Sequence, residues 1–348
     1  ISPYSSFGIG EPQEQGFSLN NSLGGVGAAL RTGNYLNPTN PASLSAINAT
    51  VFEAGITSSA IYLTDNVLSQ QAFSSSLSYL SLGFPIHNGI AVSGGLLPYS
   101  FKGFQVKQNI NSSNDEENLV YEINHRGSGG LNKAYANIGA ELFNGFSMGA
   151  TASMIFGTIK NKRDVVFLQS DILNRRDENS YTVRDFAYDL GVQYLTNIGG
   201  KNLIFGATYC PESNIRARNS SVFYTYDTSA DFEYIRDTIE VFSSASNNLS
   251  LPQSYAFGLA LENQDKWFIS GEVDFKEWSQ MSLFSDLDPN LKDATQFKFG
   301  AWWIPNAKDV HNYLNIIQYR AGFNYNTGEL SVSALGTDNQ QTDITDIS

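Results

Sequence analysis

The chain has 348 residues, 21 Lys+Arg against 34 Asp+Glu, a formal net charge of −13, 16% charged residues and 13% aromatic ones. That charge content is below the roughly 25% of soluble domains, and no run approaches the ~18–20 apolar residues of a membrane-spanning helix, which excludes a helical membrane protein. The acidic balance argues against nucleic acid, whose phosphates need clustered Lys and Arg. One cysteine, Cys210, and three scattered histidines, His87, His125 and His311, give no disulfide framework and no metal-ligand spacing. No metal and no cofactor is expected.

Residues 1–49 show no alternation. The start at Ile1, without Met or a charged and then apolar leader, predicts a mature chain after signal-peptide removal. Ser18–Leu30 is rich in small residues, and Asn37-Pro38 and Asn40-Pro41 mark turns. This composition favours a plug over a linker for residues 1–49. The remainder, 50–348, predicts a β-barrel. Strands are expected near 50–62, 72–85, 89–103, 131–142, 145–160, 181–196, 202–211, 251–263, 266–277, 294–304 and 314–326, many with strict period-2 alternation. Phe186, Tyr188, Leu190, Val192 and Tyr194 alternate with smaller or polar residues; Trp267, Ile269, Val273 and Phe275 do the same.

A soluble sandwich also alternates, so the connections decide. Short links such as Pro85–Gly89 and Phe143–Gly145 alternate with long polar ones at about 63–71, 104–130, 161–180, 212–250, 277–293 and 327–346. An up-and-down transmembrane barrel requires this, with tight periplasmic turns and long outer loops, whereas Greek-key connections give no reason for it. The second face carries Asp189, Glu272, Asp274, Lys298 and Arg320, which a water-filled or ion-paired lumen tolerates and a sandwich core does not. Gly94, Gly95 and Pro98 in the third strand predict a wall interruption, since Pro cannot donate to a ladder and Gly marks bends. Eleven strands are odd for a bacterial barrel, and the polar stretch 331–345 followed by Asp346-Ile347-Ser348 predicts that about three C-terminal strands are missing from the chain.

Gly24-Gly25-Val26-Gly27-Ala28-Ala29 followed by Asn40-Pro41-Ala42 resembles the N-terminal hatch of the FadL family of outer-membrane long-chain fatty-acid transporters, in its Bacteroidota versions. Gly94-Gly95 and Pro98, Gly127–Asn132, Leu251-Pro252, and Trp267 and Trp278 match in order. The resemblance implies an all-β barrel of fourteen strands with the hatch, Gly24, Gly25, Gly27, Asn40, Pro41 and Ala42, in its lumen. It also implies a hydrophobic substrate path from Ile1, Tyr4 and Phe7 to a lateral exit at Gly94, Gly95 and Pro98. Relatives include a type IX secretion subunit. Two functions follow: passive uptake of hydrophobic small molecules such as fatty acids, or a non-transporting accessory role in an outer-membrane secretion or outer-membrane-protein assembly complex.

In the first case a hydrophobic ligand, lipid or detergent is the expected lumen partner. In the second, segments 104–130 and 212–250 are the partner surfaces, the latter with Phe223, Tyr224, Tyr226, Phe232 and Tyr234. No enzyme is expected, because no Gly-x-Ser-x-Gly elbow or Ser–His spacing occurs. Gly25-Val26-Gly27 lacks the strand before it that a dinucleotide fingerprint needs, and the Asp286–Asn290 segment lacks the glycine of a calcium loop. Asp237-Thr238-Ile239 resembles a Bacteroidota O-glycosylation site.

Overall fold

The computed structural model describes residues 3–64, 69–111, 120–169, 172–229, 232–263, 266–283, 286–287, 290–309, 311–333, 341–343 and 345–347. Its wall is one antiparallel sheet of β1 (Val51–Thr64), β2 (Ser69–His87), β3 (Ile90–Asn111), β4 (Val120–Phe143), β5 (Phe146–Phe167), β6 (Asn174–Ile198), β7 (Lys201–Cys210), β8 (Ser213–Ser229), β9 (Phe232–Leu251), β10 (Ser254–Asn263), β11 (Trp267–Lys276), β12 (Ala294–Trp303) and β13 (Tyr319–Asn326).

These thirteen segments make eleven staves. β6 pairs with β7 along its C-terminal half and with β8 along its N-terminal half, and β10 and β9 continue that division on the next stave. Pro211 and Pro252 fall in the two breaks, where a residue without an N–H removes a ladder bond. The eleven staves answer to the eleven expected strands, except that the last begins at Tyr319 and not at 314, where Tyr313–Ile316 is a short helix. Pairing then runs β10–β11, β11–β12 and β12–β13. No ladder joins β13 to β1 among the described residues; Asp346–Ile347 pairs with Tyr325–Asn326 on β13.

The wall is lopsided in height. β10, β11 and β12 have 10 residues each, about what a tilted transmembrane strand needs. β4 has 24 and β6 has 25, roughly 80 Å at ~3.3 Å per residue. Much of 104–130, 161–180 and 212–250, expected as loops, is therefore paired strand: Lys102↔Gly129 to Asn111↔Val120, Tyr121↔Phe167 onward, and β8 with β9. Above the bilayer neither face of a strand meets lipid, so the apolar face that marks a strand in sequence is lost while the backbone pairing persists. Residues 112–119 lie outside the described part.

Below that height the faces separate as expected. Phe186, Tyr188, Leu190 and Tyr194 on β6 are exposed, as are Phe297 and Phe299 on β12 and Phe257 and Leu259 on β10. Ile155, Ile159, Val183, Ile215, Leu249 and Leu251 point inward and pack with Trp278 and Met281. Near the short turns Trp303 lies 6.1 Å from Tyr319 and Phe143 stacks on Phe146 at 4.7 Å, where an interfacial girdle belongs.

Candidate functional site

Residues 17–47 lie against the inner face of the wall. A short helix, α1 (Ser18–Ser22), starts beside β2: Phe17 stacks on Tyr79 at 4.0 Å, and Ser18 N–H donates to Tyr79 Oη at 3.2 Å. A 3-10 turn, Pro41–Ala46, is capped by Asn40, whose Oδ1 accepts from Ala42 N–H at 3.0 Å. Between them the chain runs so close to the wall that the facing positions are glycines: Gly139, Gly149, Gly191, Gly206, Gly258, Gly300 and Gly322, one on each of β4, β5, β6, β7, β10, β12 and β13. A Cβ on Gly322 would sit 1.9 Å from the Gly24 nitrogen, and one on Gly206 1.9 Å from the Ala28 carbonyl oxygen. Only glycine permits such an approach. Four register pairs, Gly139↔Gly149, Gly149↔Gly191, Gly206↔Gly258 and Gly300↔Gly322, make the groove continuous over neighbouring staves.

β11 has no glycine facing the segment there. It presents Glu272, in register between Gly258 and Lys298. One Glu272 oxygen accepts from Gly27 N–H at 2.7 Å and Ala28 N–H at 2.6 Å. The other faces Lys298 Nζ at 3.4 Å, and Lys298 also reaches Asp274 at 2.6 Å. A buried carboxylate is tolerable only when its charge and lone pairs are matched, and here backbone donors and an ammonium do so. Asn40 donates to Ala28 O at 2.7 Å and Val192 O at 3.2 Å, and Gln193 donates to Ala28 O at 3.0 Å. Asn37 and Asn20, buried and bonded at 3.0 Å, tie the turn to α1.

The hatch residues expected from sequence, Gly24, Gly25, Gly27, Asn40, Pro41 and Ala42, all sit in this seat. Asp189 pairs with Lys133 at 2.8 Å rather than with the Glu272 group. Arg320 finds no carboxylate among the described residues; it bonds Gln318 at 2.7 Å and lies 5.7 Å over the Tyr35 ring, because the lumen beside it is filled by the N-terminal segment. Asn37 is expected from sequence as a turn residue and Gln193 as a polar lumen residue, but neither as part of a seat, and Asn20 and the seat glycines have no expected role there. Glycine recurring at one inward position per strand was their signal.

Above the seat lies a cavity of about 1120 Å³, lined on one side by Ile9, Leu131, Trp278 and Met281, with Tyr4 and Phe7 at its edge. Ile1 is outside the described residues. The cavity reaches a break in the wall. The β2–β3 ladder ends at Leu80↔Leu96, while β3 stays paired to β4 up to Asn111 and β2 to β1 up to Ser69. Gly94 and Gly95 are still in the ladder; Pro98 lies in the break, beside a register shift between Pro98 and Ser100. There Glu11–Pro12 pairs with Phe101 and Ser100, and Lys102 Nζ donates to Ser6 O at 3.0 Å.

Of the aromatics expected as a partner surface, Tyr224 and Tyr226 flank Arg176, 5.7 and 4.4 Å from its guanidinium, and Phe223 lies 4.7 Å from that of Arg175. Arg176 also pairs with Asp164 and, at 2.5 Å, with Glu233. Phe232 and Tyr234 remain exposed. Three of the five are thus used internally, because the segment is a strand pair and not a loop.

Solved structures share this fold at low identity. The "CymD monoaromatic hydrocarbon channel" is 14% identical, with 94% of this chain and 86% of that chain covered at a TM-score of 0.55. The Pseudomonas putida toluene transporter TodX is 14% identical, covering 91% and 84% at 0.55. A Pseudomonas aeruginosa FadL homologue is 13% identical, covering 91% and 81% at 0.55. Comparison with curated proteins gives no match. The wall, its break and the seated N-terminal segment are thus built on a FadL-like barrel, and since the family model described as BamG matches residues 1–344, the chain belongs to the BamG family.

Proposed function

We propose that the protein is an outer-membrane barrel that serves as a non-transporting accessory subunit of a larger outer-membrane complex, with residues 1–49 as its fixed plug. The observation that carries this reading is the seat. The segment's backbone lies in a glycine groove over seven staves and is pinned by Glu272, so clearing the lumen would strip a buried carboxylate of its donors, at a cost of several kcal/mol. The wall that rises past the bilayer on one side supports the same reading, as a rigid flank for a partner. Membership of the BamG family favours an outer-membrane-protein assembly complex over a secretion one.

Purification from native membranes in mild detergent tests it. A stoichiometric large outer-membrane partner is expected; a lone barrel would overturn the reading. The cavity and the β2–β3 break support a second reading, uptake of hydrophobic small molecules, in line with the hydrocarbon and toluene proteins of similar fold. That reading requires an acyl or aromatic ligand in the cavity and impaired uptake on deletion.

A further inference from the structure

The outward face of β4, β5, β6 and β8 gathers cations in a protein of net charge −13. Arg126, Lys160, Lys162, Arg184, Arg216 and Arg218 are six of its 21 Lys+Arg. Their inward neighbours Ile159, Val183 and Ala217 are 3%, 2% and 2% exposed, so by strand alternation these side chains point away from the lumen. Register brings them together: Arg126 stands directly opposite Lys162, Lys160 opposite Ser128, Arg184 opposite Phe156 and Arg218 opposite Thr182. Like charges facing each other across a ladder are destabilising unless something neutralises them.

The protein's own carboxylates do so only in part. Arg216 has Asp185 at 3.0 Å and Lys162 has Asp164 at 3.9 Å. Glu233 is taken by Arg176, Glu122 by Lys107, and Glu178 faces Lys162 in register. Glu122 and Glu233 also act on Arg126 through space, whereas Lys160, Arg184 and Arg218 have no ion pair among the described residues. Hydroxyls lie between them: Thr158 and Thr182 at 3.2 Å from each other, with Ser128, Ser180 and Ser220 on adjoining positions.

What lies below identifies the partner. β6 carries Phe186 and Tyr188, both exposed toward lipid, and a groove of about 600 Å³ over small residues runs from β6 across β5 and β4 to β3 and β2, bounded by Leu82, Gly94, Ala136, Ile138, Ala152 and Tyr188. Arg184 is four residues above Tyr188 along β6, roughly 13 Å at ~3.3 Å per residue, within the length of one acyl chain. The short turns are at the opposite end, which puts the cations at the outer leaflet.

From this juxtaposition of unpaired cations, hydroxyls and a lipid-facing groove, we propose that this face binds a phosphorylated glycolipid of the outer leaflet, phosphate on the cations, sugar on the hydroxyls and chains in the groove. The site is independent of whether the barrel transports or serves a complex.

The test uses the full-length protein in phosphatidylcholine nanodiscs, titrated with diphosphorylated lipid A and followed by native mass spectrometry. The wild type is expected to retain the phosphorylated lipid and to discriminate against its dephosphorylated form. Each juxtamembrane cation contributes about five-fold, so Lys160→Gln/Arg184→Gln/Arg218→Gln is expected to bind roughly 100-fold more weakly, and Lys160→Arg/Arg184→Lys/Arg218→Lys to bind like wild type. If the triple glutamine variant does not fold, as judged by heat-modifiable migration, the single substitutions carry the test at about five-fold each. Equal binding by the glutamine variants overturns the proposal. So does equal binding of dephosphorylated lipid A, or complete displacement by inorganic phosphate at the lipid's own concentration, or an acidic protein found on this face in lipid's place.

Discussion

At the scale of single residues, the chemistry of this barrel concentrates in carboxylates with more than one task. Glu272 accepts two backbone N–H groups of the plug while facing Lys298. Glu272→Ala leaves those donors and the ammonium short of partners, so a loss of about 3 kcal/mol is expected, read as a lower unfolding temperature; an unchanged midpoint would show that the contact is incidental. Glu233, above the bilayer, is the second case. Its hydrogen bonds from Arg176 hold its carboxyl below the usual range. With the folded value depressed, the stabilisation is complete above the unfolded value of about 4.3 and fades as pH falls through the lower folded one. Amide protection in β8 and β9, measured against the intrinsic exchange rate at each pH, is expected to fall in that acid window, and Glu233→Gln to abolish the transition. Residues of this kind were half legible. Glu272, Asp274, Lys298 and Arg320 stood out as charges on a lumen face, and the register of neighbouring staves pairs the first three with one another; the backbone donors to Glu272 and the Tyr35 ring beside Arg320 are set by how the N-terminal segment threads past them, and no period in the sequence encodes that.

Among the elements, the staves were legible because each crosses the bilayer once with one apolar face, and because connection length alternates with parity. Their upper ends were not, since a polar strand in water looks like a loop. The seat was hidden for another reason. A glycine on a strand is read locally as a bend, as at Gly94 and Gly95, and only the assembled wall reveals Gly139, Gly149, Gly191, Gly206, Gly258, Gly300 and Gly322 as one groove. Gly206→Val and Gly322→Val are expected to push residues 23–30 off the wall, because backbone atoms at 1.9 Å from the new Cβ cannot yield as a side chain would. Limited proteolysis of the folded barrel should then cut within 24–40, while Gly271→Ala, where a Cβ meets nothing within 4 Å, should resemble wild type. Cleavage that is the same in all three variants would mean the segment is held by its ends alone.

For the molecule as a whole, the N-terminal segment also spans β13 and β1, which no ladder joins among the described residues. Leu36 N–H donates to Glu53 on β1 at 2.7 Å, and the neighbouring Tyr35 ring lies under Arg320 of β13. Deleting residues 1–47 is therefore expected to lower the heat-resistant fraction on gels rather than simply to empty the lumen; a deletion variant as resistant as the intact chain would show that the wall stands without its plug. The contacts have a direction in time as well. Gly27 and Glu272 are 245 residues apart, and Glu14 and Gln296 are 282 apart, so the N-terminal segment is held by staves made long after it. Bringing such distant segments together is slow, and a backbone pressed into a glycine groove is hard to seat once the staves around it have closed. Residues 17–47 are thus expected to dock while the staves assemble, as a mandrel on which the barrel is wound.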